Sequence, residues 1–332
     1  MKAVRFDQHG VPSAVVRFEE LPLPAPRWGE VRVRMLASPI NPSDLLFIEG
    51  RYGLKPDFPA TPGFEGVGIV EESGGGLLGW LRKGKRVAVL GARTGTWAEQ
   101  AIAPARQVIP LPDSLPDDQA ATFFVNPATA ILLVTQVMKV PPGAWLLQTA
   151  AGSALGKMVI QLGKVIGFKT INVVRRREQV EELKSFGADV VLVTEDGPLR
   201  EQLRAATGLI GVAFAIDPVG GNLGSQVIDC LTDGGELILY GLLSGEPIRV
   251  DPRVLISGSK TVRGFWLADW AKHSSVVQKL RLIRTIRRFL QSGTFHTDVV
   301  KQYPLAEVNE AVVHAAKAGK GGKILLRLGS SD

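Results

Sequence analysis

The pattern of apolar and polar positions changes character partway along the chain. Up to about Gln107 it consists of short runs separated by turn residues. Val31-Arg32-Val33-Arg34-Met35 alternates with period two, as a half-buried strand requires. Val67-Gly68-Ile69-Val70 and Arg86-Val87-Ala88-Val89-Leu90 are further strand candidates, with turns at Gly74-Gly75-Gly76 and Lys83-Gly84-Lys85. Few helical patterns intrude, so this half reads as an irregular β domain. From Trp145 the pattern becomes strand and helix in alternation. Trp145-Leu146-Leu147-Gln148-Thr149 is a short apolar run, after which Leu155, Met158, Val159, Leu162, Val165 and Ile166 follow the spacing of an amphipathic helix.

Strand-like runs recur at residues 170–174, 189–193, 212–216, 236–240 and 261–265, with helical segments at 178–186 and 222–231. Strands joined by helical crossovers form a parallel sheet covered on both faces, so the second half is expected to be a doubly wound α/β domain. A long helix at 274–291 and a terminal strand at 323–328 complete the chain, and the strand is expected to pack back on the first domain. The expected divisions are therefore 1–120, 121–265 and a return segment, 266–332.

Composition narrows the class. The chain has 332 residues, 45% hydrophobic and 21% charged, which excludes disorder as the main state. The most apolar stretch, 120–138, carries Asn126, Pro127 and Gln136 and reads as a buried helix rather than a span, so no membrane partner is expected. Met1-Lys2-Ala3-Val4-Arg5-Phe6 runs straight into a strand with no leader pattern, which points to a cytoplasmic, bacterial-type protein. The single cysteine, Cys230, excludes an intrachain disulfide and a multi-cysteine metal cage. His9, His273, His296 and His314 are scattered without ligand spacing, so no metal site is expected and no Ser/His/Asp arrangement can be built. The net charge of +7 suits nucleic acid, an acidic protein or a phosphorylated ligand. No basic stripe with interleaved aromatics is present, and nucleic acid is not an expected partner.

One address for that charge lies in the second half. A dinucleotide fold needs a tight turn after its first strand and a helix N-terminus aimed at pyrophosphate. The fingerprint asks for glycine at positions one, three and six of the turn, and here those are Ala151, Ser153 and Gly156, small residues throughout. The second strand ends Val173-Val174-Arg175-Arg176-Arg177, where a carboxylate would favour an unphosphorylated ribose. Arginines there offer planar donors to a 2′-phosphate, so the expected cofactor is NADPH.

Several further stretches carry a resemblance. They are Ser38-Pro39-Ile40-Asn41-Pro42-Ser43-Asp44, Glu49-Gly50-Arg51-Tyr52-Gly53, Gly95-Thr96-Trp97, Val125-Asn126-Pro127-Ala128-Thr129-Ala130 and Arg263-Gly264-Phe265-Trp266-Leu267. In these the chain resembles the zinc-independent medium-chain reductases, above all the mitochondrial-type trans-2-enoyl-CoA reductases, or 2-enoyl thioester reductases. Medium-chain alcohol dehydrogenases place a zinc-binding histidine in a Gly-His-Glu motif. The matching stretch here is Gly63-Phe64-Glu65, with phenylalanine at the ligand position. The resemblance implies a GroES-like irregular β catalytic domain joined to a Rossmann domain, a small-molecule acyl thioester substrate such as an enoyl-CoA or enoyl-carrier protein, a homodimer, and a place in fatty-acid metabolism.

It also implies roles for individual residues. Tyr52 matches the family's proton donor and Asn126 its nicotinamide-side asparagine. Gly152, Ser153, Ala154 and Leu155 match the phosphate-binding turn, with Ala154 where the family often has glycine. Arg175 and Arg177 match the 2′-phosphate site. Tyr240, Gly241 and Leu242, with Leu243 after them, and Phe265, Trp266 and Leu267 match loops lining the nicotinamide and acyl pocket, where Trp266 would wall the acyl channel and exclude water from the reaction. Asn41 and Lys323 complete the implied cofactor contacts. A tyrosine hydroxyl, with a reference pKa of about 10, stays protonated at neutral pH and can donate to a substrate carbon. Competing readings are an NADPH-dependent quinone or enone reductase on the same fold, and a non-catalytic binding protein. Lys279, Arg281, Arg284, Arg287 and Arg288 on the late helix read as a solvated face, or as a dock for a coenzyme A phosphate or an acidic carrier protein.

Overall fold

The computed structural model describes residues 1–329; residues 330–332, the end of the expected return segment, lie outside the described residues. The chain forms two compact units, Met1–Val125 with the segment from His296 onward, and Asn126–Phe295. In chain order the strands are β1 (Lys2–Arg5), β2 (Arg17–Glu20), β3 (Glu30–Pro39), β4 (Glu65–Ser73), β5 (Arg86–Leu90), β6 (Gln100–Pro104) and β7 (Val108–Pro110), then β8 (Trp145–Gln148), β9 (Lys169–Val174), β10 (Val190–Val193), β11 (Val212–Asp217), β12 (Leu231–Leu239) and β13 (Thr261–Gly264), and finally β14 (Val299–Pro304) and β15 (Lys323–Arg327).

Unit one is built on a sheet ordered β14-β15-β3-β4-β5-β7, with β6 also pairing β3. The period-two pattern of β3 becomes a strand whose alternate residues Val31, Val33 and Met35 are fully buried. The late strand β15 joins antiparallel to β3, Leu326 opposite Ser38, and parallel to β14. The domain is less purely β than the sequence suggests: the helix Pro42–Ile48 lies between β3 and β4.

Unit two is a six-stranded sheet, parallel throughout, in the order β10-β9-β8-β11-β12-β13. Continuous apolar runs make strands buried on both faces, and Leu147, Ile171, Ala215 and Leu237 are wholly inaccessible. The first three strands step one way from β8 and the next three step the other way. The order therefore reverses between β8 and β11, and the crevice at their carboxyl ends is where such sheets bind ligands. Among the described residues no helix is long and apolar enough to cross a membrane.

The units divide at other places than the sequence divisions. The N–H groups of Phe124 and Val125 donate to one Glu65 carboxylate oxygen at 3.2 and 2.9 Å, which ties residues beyond 120 into unit one. Residues 266–295 cluster with unit two: the helix Val276–Gln291 buries Leu282, Ile286 and Phe289, and the Phe289 ring lies 5.1 Å from that of Phe295. The stretch 120–138 is not one helix. It breaks into Asp117–Ala121 and Val125–Leu132, and continues as a π-helical turn, Leu133–Val137. Pro127 fits because it sits in the first turn of its helix, where its missing N–H is not needed.

Leu326 is fully buried between β14 and β3. Leu326→Ala is expected to lower the stability of unit one by about 2–5 kcal/mol in denaturant unfolding. An unchanged unfolding midpoint would mean that the late segment is not integral to the unit.

Candidate active site

In unit two the turn after β8 has the shape that its small residues permit. Ala150 takes a left-handed backbone, φ 50°, costly for a residue with a side chain and common where a turn serves a site. A Cβ on Gly152 would fall 2.1 Å from Gln179 Nε2, and one on Gly156 would fall 2.4 Å from the Ala151 carbonyl oxygen. Gly156 thus lets the helix Ala154–Ile166 start hard against the end of the strand. Ser153 is its N-cap, the side chain accepting from Gly156 N–H at 3.1 Å. The N–H groups of Ala154 and Leu155, in the first turn, have no intrahelical acceptor and with the helix dipole make an anion site. Gly152, Ser153, Ala154 and Leu155 are therefore brought together in one turn at the N-terminus of this helix.

Asp217, at the end of β11, locks the neighbouring loop. Its carboxylate accepts from the Thr149 hydroxyl, from Val219 N–H at 2.9 Å and from Gly220 N–H at 2.8 Å. The Thr149 bond ties the loops after β8 and β11, the pair flanking the reversal of strand order. The next loop is zipped to the same place: Tyr240 N–H donates to Asp217 O, Leu243 N–H to Pro218 O and Ser244 N–H to Val219 O, at 2.9–3.1 Å. Tyr240, Gly241 and Leu242 are thereby brought beside the switch point. The Tyr240 hydroxyl is buried with no hydrogen-bond partner among the described residues, and burial, reinforced by the Asp217 charge, pushes its pKa up, so it keeps its proton. Thr149 and Asp217 carried no role in the sequence reading. The signal available was Asp217-Pro218, an acidic turn residue directly after an apolar run.

Arg175 is exposed just past the end of β9 and makes no ion pair among the described residues. Arg177 pairs on the surface with Asp196. Such exposed pairs contribute little, about 0–1 kcal/mol. Phe265, Trp266 and Leu267 follow β13, and since all six strands run the same way these residues lie at the same edge of the sheet as the turn. Trp266 is partly exposed and opens the helix Leu267–His273. Asn126 is half-buried in the first turn of Val125–Leu132.

In unit one the structure brings Asn41 and Lys323 together inside the protein rather than at a surface. Lys323 Nζ donates to Asn41 Oδ1, and Asn41 Nδ2 donates to Glu65 Oε1 at 3.0 Å. The other Glu65 oxygen accepts from the N–H groups of Phe124 and Val125 at 3.2 and 2.9 Å. Asp44 closes the group by accepting from Asn41 N–H at 2.7 Å and Phe64 N–H at 3.1 Å. All four side chains are buried. Burial pushes the Asp44 carboxyl up to about 7, with the Glu65 charge adding to the shift. Burial also raises Glu65 and lowers Lys323, while the Lys323 charge and the two carboxylates pull each other back. Asp44 and Glu65 stood inside motifs quoted from the sequence without a role. The readable signal was Asn41-x-x-Asp44, the spacing of a helix capping box. Tyr52 lies in the loop just after the helix Pro42–Ile48, half-buried against Phe64.

An acid whose pKa rises on folding stabilises the fold at low pH and loses that contribution as pH climbs through its folded value. The Asp44 term is thus complete below about pH 4 and gone above about pH 7. Thermal unfolding is expected to show wild type losing stability relative to Asp44→Asn across that window, because the variant cannot ionise. Parallel profiles for the two proteins would contradict the assignment.

Comparison with known proteins gives a consistent answer. Residues 27–113 match the alcohol dehydrogenase GroES-like domain and residues 154–283 the zinc-binding dehydrogenase domain. The chain is 34% identical to human mitochondrial enoyl-acyl-carrier-protein reductase over 99% of its own length and 89% of the relative's. Among solved structures, it superposes on Escherichia coli quinone oxidoreductase complexed with NADPH with a TM-score of 0.90, at 25% identity, covering 98% of this chain and 100% of that one. On the Etr1p complex with NADP and crotonyl-CoA the TM-score is 0.85, at 28% identity, covering 98% and 99%. A strand order that reverses at β8 and β11, a small-residue phosphate turn, and this likeness over nearly the whole length place the chain in the medium-chain dehydrogenase/reductase superfamily, in the group of the mitochondrial enoyl-acyl-carrier-protein reductases.

Proposed function

We propose that the chain is an NADPH-dependent oxidoreductase that reduces the 2,3-double bond of trans-2-enoyl thioesters, with Tyr52 as proton donor. The observation that carries this reading is the 34% identity to enoyl-acyl-carrier-protein reductases over 99% of the chain. The reading is supported by the tight turn at Gly152–Leu155 opening a helix, and by the exposed guanidinium groups of Arg175 and Arg177 just past β9. When bound, NADPH supplies the hydride that goes to the β-carbon of the substrate.

The chain's own residues do the rest. First-turn N–H groups of the helix Ala154–Ile166 neutralise the pyrophosphate. Arg175 and Arg177 select the phosphorylated ribose, Arg177 exchanging Asp196 for the phosphate. Asn126, Tyr240, Gly241, Leu242, Phe265 and Leu267 line the reacting end, and Trp266 keeps water out. The Tyr52 hydroxyl delivers a proton to the α-carbon. Asn41 and Lys323 act from within the buried cluster, holding the segment that carries Asp44 and Phe64. Phe64 brings no metal-ligating atom, so charge developing on the thioester oxygen is met by hydrogen-bond donors in this proposal.

The exposed guanidinium groups of Arg281, Arg284 and Arg288 on the helix Val276–Gln291 suit the phosphate of a pantetheine arm, common to coenzyme A and a carrier protein. The edge strand β13, which among the described residues pairs with β12 alone, offers its open edge to a second copy, which makes a homodimer part of the proposal. A cytoplasmic location is also part of it, consistent with Cys230 being a buried free thiol.

NADPH oxidation is expected with crotonyl-CoA and longer 2-enoyl-CoAs. Tyr52→Phe is expected to lose about a hundredfold or more of that turnover while binding NADPH as before. The likeness to the Escherichia coli quinone oxidoreductase favours a second reading, an NADPH:quinone reductase. Turnover of quinones with inert thioesters would establish that reading and overturn the first.

Replacing Arg175 and Arg177 with alanine is expected to raise the KM for NADPH by about 10–100-fold, the loss of one or two charge-assisted hydrogen bonds, and to leave that for NADH unchanged. Equal effects on both cofactors would remove the arginines from phosphate recognition.

A further inference from the structure

Phe64 occupies the position of a metal ligand in related dehydrogenases without replacing its chemistry, and its surroundings show another use. Its ring centroid lies 5.2 Å from that of Tyr52, tilted by 36°. On its other side it meets Phe47 edge-on at 5.3 Å, Phe47 meets Phe6 at 5.6 Å, and Phe6 meets Phe58 at 5.5 Å. The row ends at His9, 5.0 Å from Phe58. Phe6 and Phe47 are buried, whereas Phe58 and His9 reach the surface.

The row bends back on the loop that carries Tyr52. Gly50 has φ +74°, and a Cβ there would fall 2.7 Å from His9 Cγ, so the loop lies directly on the His9 ring. One aromatic row therefore grips the loop twice, through His9 at Gly50 and through Phe64 at Tyr52. Between these points the N–H groups of Arg51 and Tyr52 both donate to Leu46 O, at 2.9 and 3.1 Å. Phe64 is itself held firmly. Its N–H donates to Asp44 and its carbonyl accepts from Gly91 N–H at 2.9 Å. Before it stands Gly63, φ +101°, where a Cβ would fall 2.2 Å from Thr96 Oγ1.

We propose that Phe64 is a positioning residue for Tyr52, and that the aromatic row ending at His9 fixes the orientation in which the Tyr52 hydroxyl is presented. The inference rests on Tyr52 being the proton donor. A ring held at both ends of its loop leaves the hydroxyl few orientations, and small misplacement of a reacting group is enough to slow a proton transfer. Aromatic pairs add only modestly to stability, so the main effect of losing the ring falls on turnover.

A double-mutant cycle with crotonyl-CoA and NADPH tests this. Phe64→Leu is expected to lower kcat by about 10–100-fold with the KM for NADPH unchanged, and Phe64→Tyr, which keeps the ring, to restore it. In the Tyr52→Phe background, Phe64→Leu is expected to change the residual kcat no further. His9→Ala, a surface change, is expected to lower kcat several-fold in the wild-type background alone, and decides the matter if Phe64→Leu does not fold. Full kcat in the folded Phe64→Leu or His9→Ala protein, or an equal loss on both Tyr52 backgrounds, would overturn the positioning role while leaving Tyr52 as donor. Full activity of Tyr52→Phe alone would remove the donor reading, and the positioning role with it.

Discussion

Unit one depends on a buried set of charges answering one another. Taking a carboxylate or an ammonium out of water costs several kcal/mol unless partners replace the lost solvation. Lys323, Asn41, Asp44 and Glu65 supply those partners from three separated parts of the chain, and backbone N–H groups of Phe64, Phe124 and Val125 take up the remaining carboxylate oxygens. Removing one member would strand the others without solvent, so β15, the helix Pro42–Ile48 and β4 must assemble together. The same contacts pin the backbone of Phe64 and, through its ring, the neighbourhood of Tyr52. Stability of the unit and geometry of the proposed donor therefore share a cause.

Unit two solves a different problem, that of bringing a polar turn to the edge of an apolar sheet. Its strands are buried on both faces, which leaves chemistry to the loops at their carboxyl ends. There the backbone does most of the work. Gly152 and Gly156 permit close approach, Ser153 caps the helix, and Asp217 gathers two loops around the reversal of strand order. Replacing fingerprint glycines by Ala151 and Ser153 leaves this turn intact, because the third position, Gly156, is the one that meets backbone.

How much of this was legible in the sequence follows from the range of each interaction. The strands of unit two were readable because each is a continuous apolar run bounded by turn residues, and their alternation with helices implies the parallel sheet. The turn after β8 was readable because the small residues Ala151, Ser153 and Gly156 follow directly on the first of these runs, whereas its Ser153 cap was not read. The helix Pro42–Ile48 was missed: only seven residues long, it leaves a capping pattern and little periodicity. The apolar stripe Leu282, Ile286 and Phe289 says that the late helix is packed but not on which unit. Pairing of Lys323 with Asn41, 282 positions apart, has no local signature at all. Nor does the aromatic row, whose members are ordinary core residues until the fold lines them up.

The absence of a histidine beside Glu65 links sequence to chemistry in the proposed reaction. An aromatic ring at residue 64 cannot ligate a metal, but it can hold the ring of Tyr52, so the demand shifts from polarising an oxygen to placing a proton. The most direct test of that account is where isotopes go. Crotonyl-CoA reduced in heavy water with unlabelled NADPH should carry one solvent deuterium at the α-carbon. With deuterium on the transferred position of the cofactor, in ordinary water, the label should appear at the β-carbon instead. A thioester product with no cofactor-derived label, or no thioester product while a quinone is reduced, would contradict it.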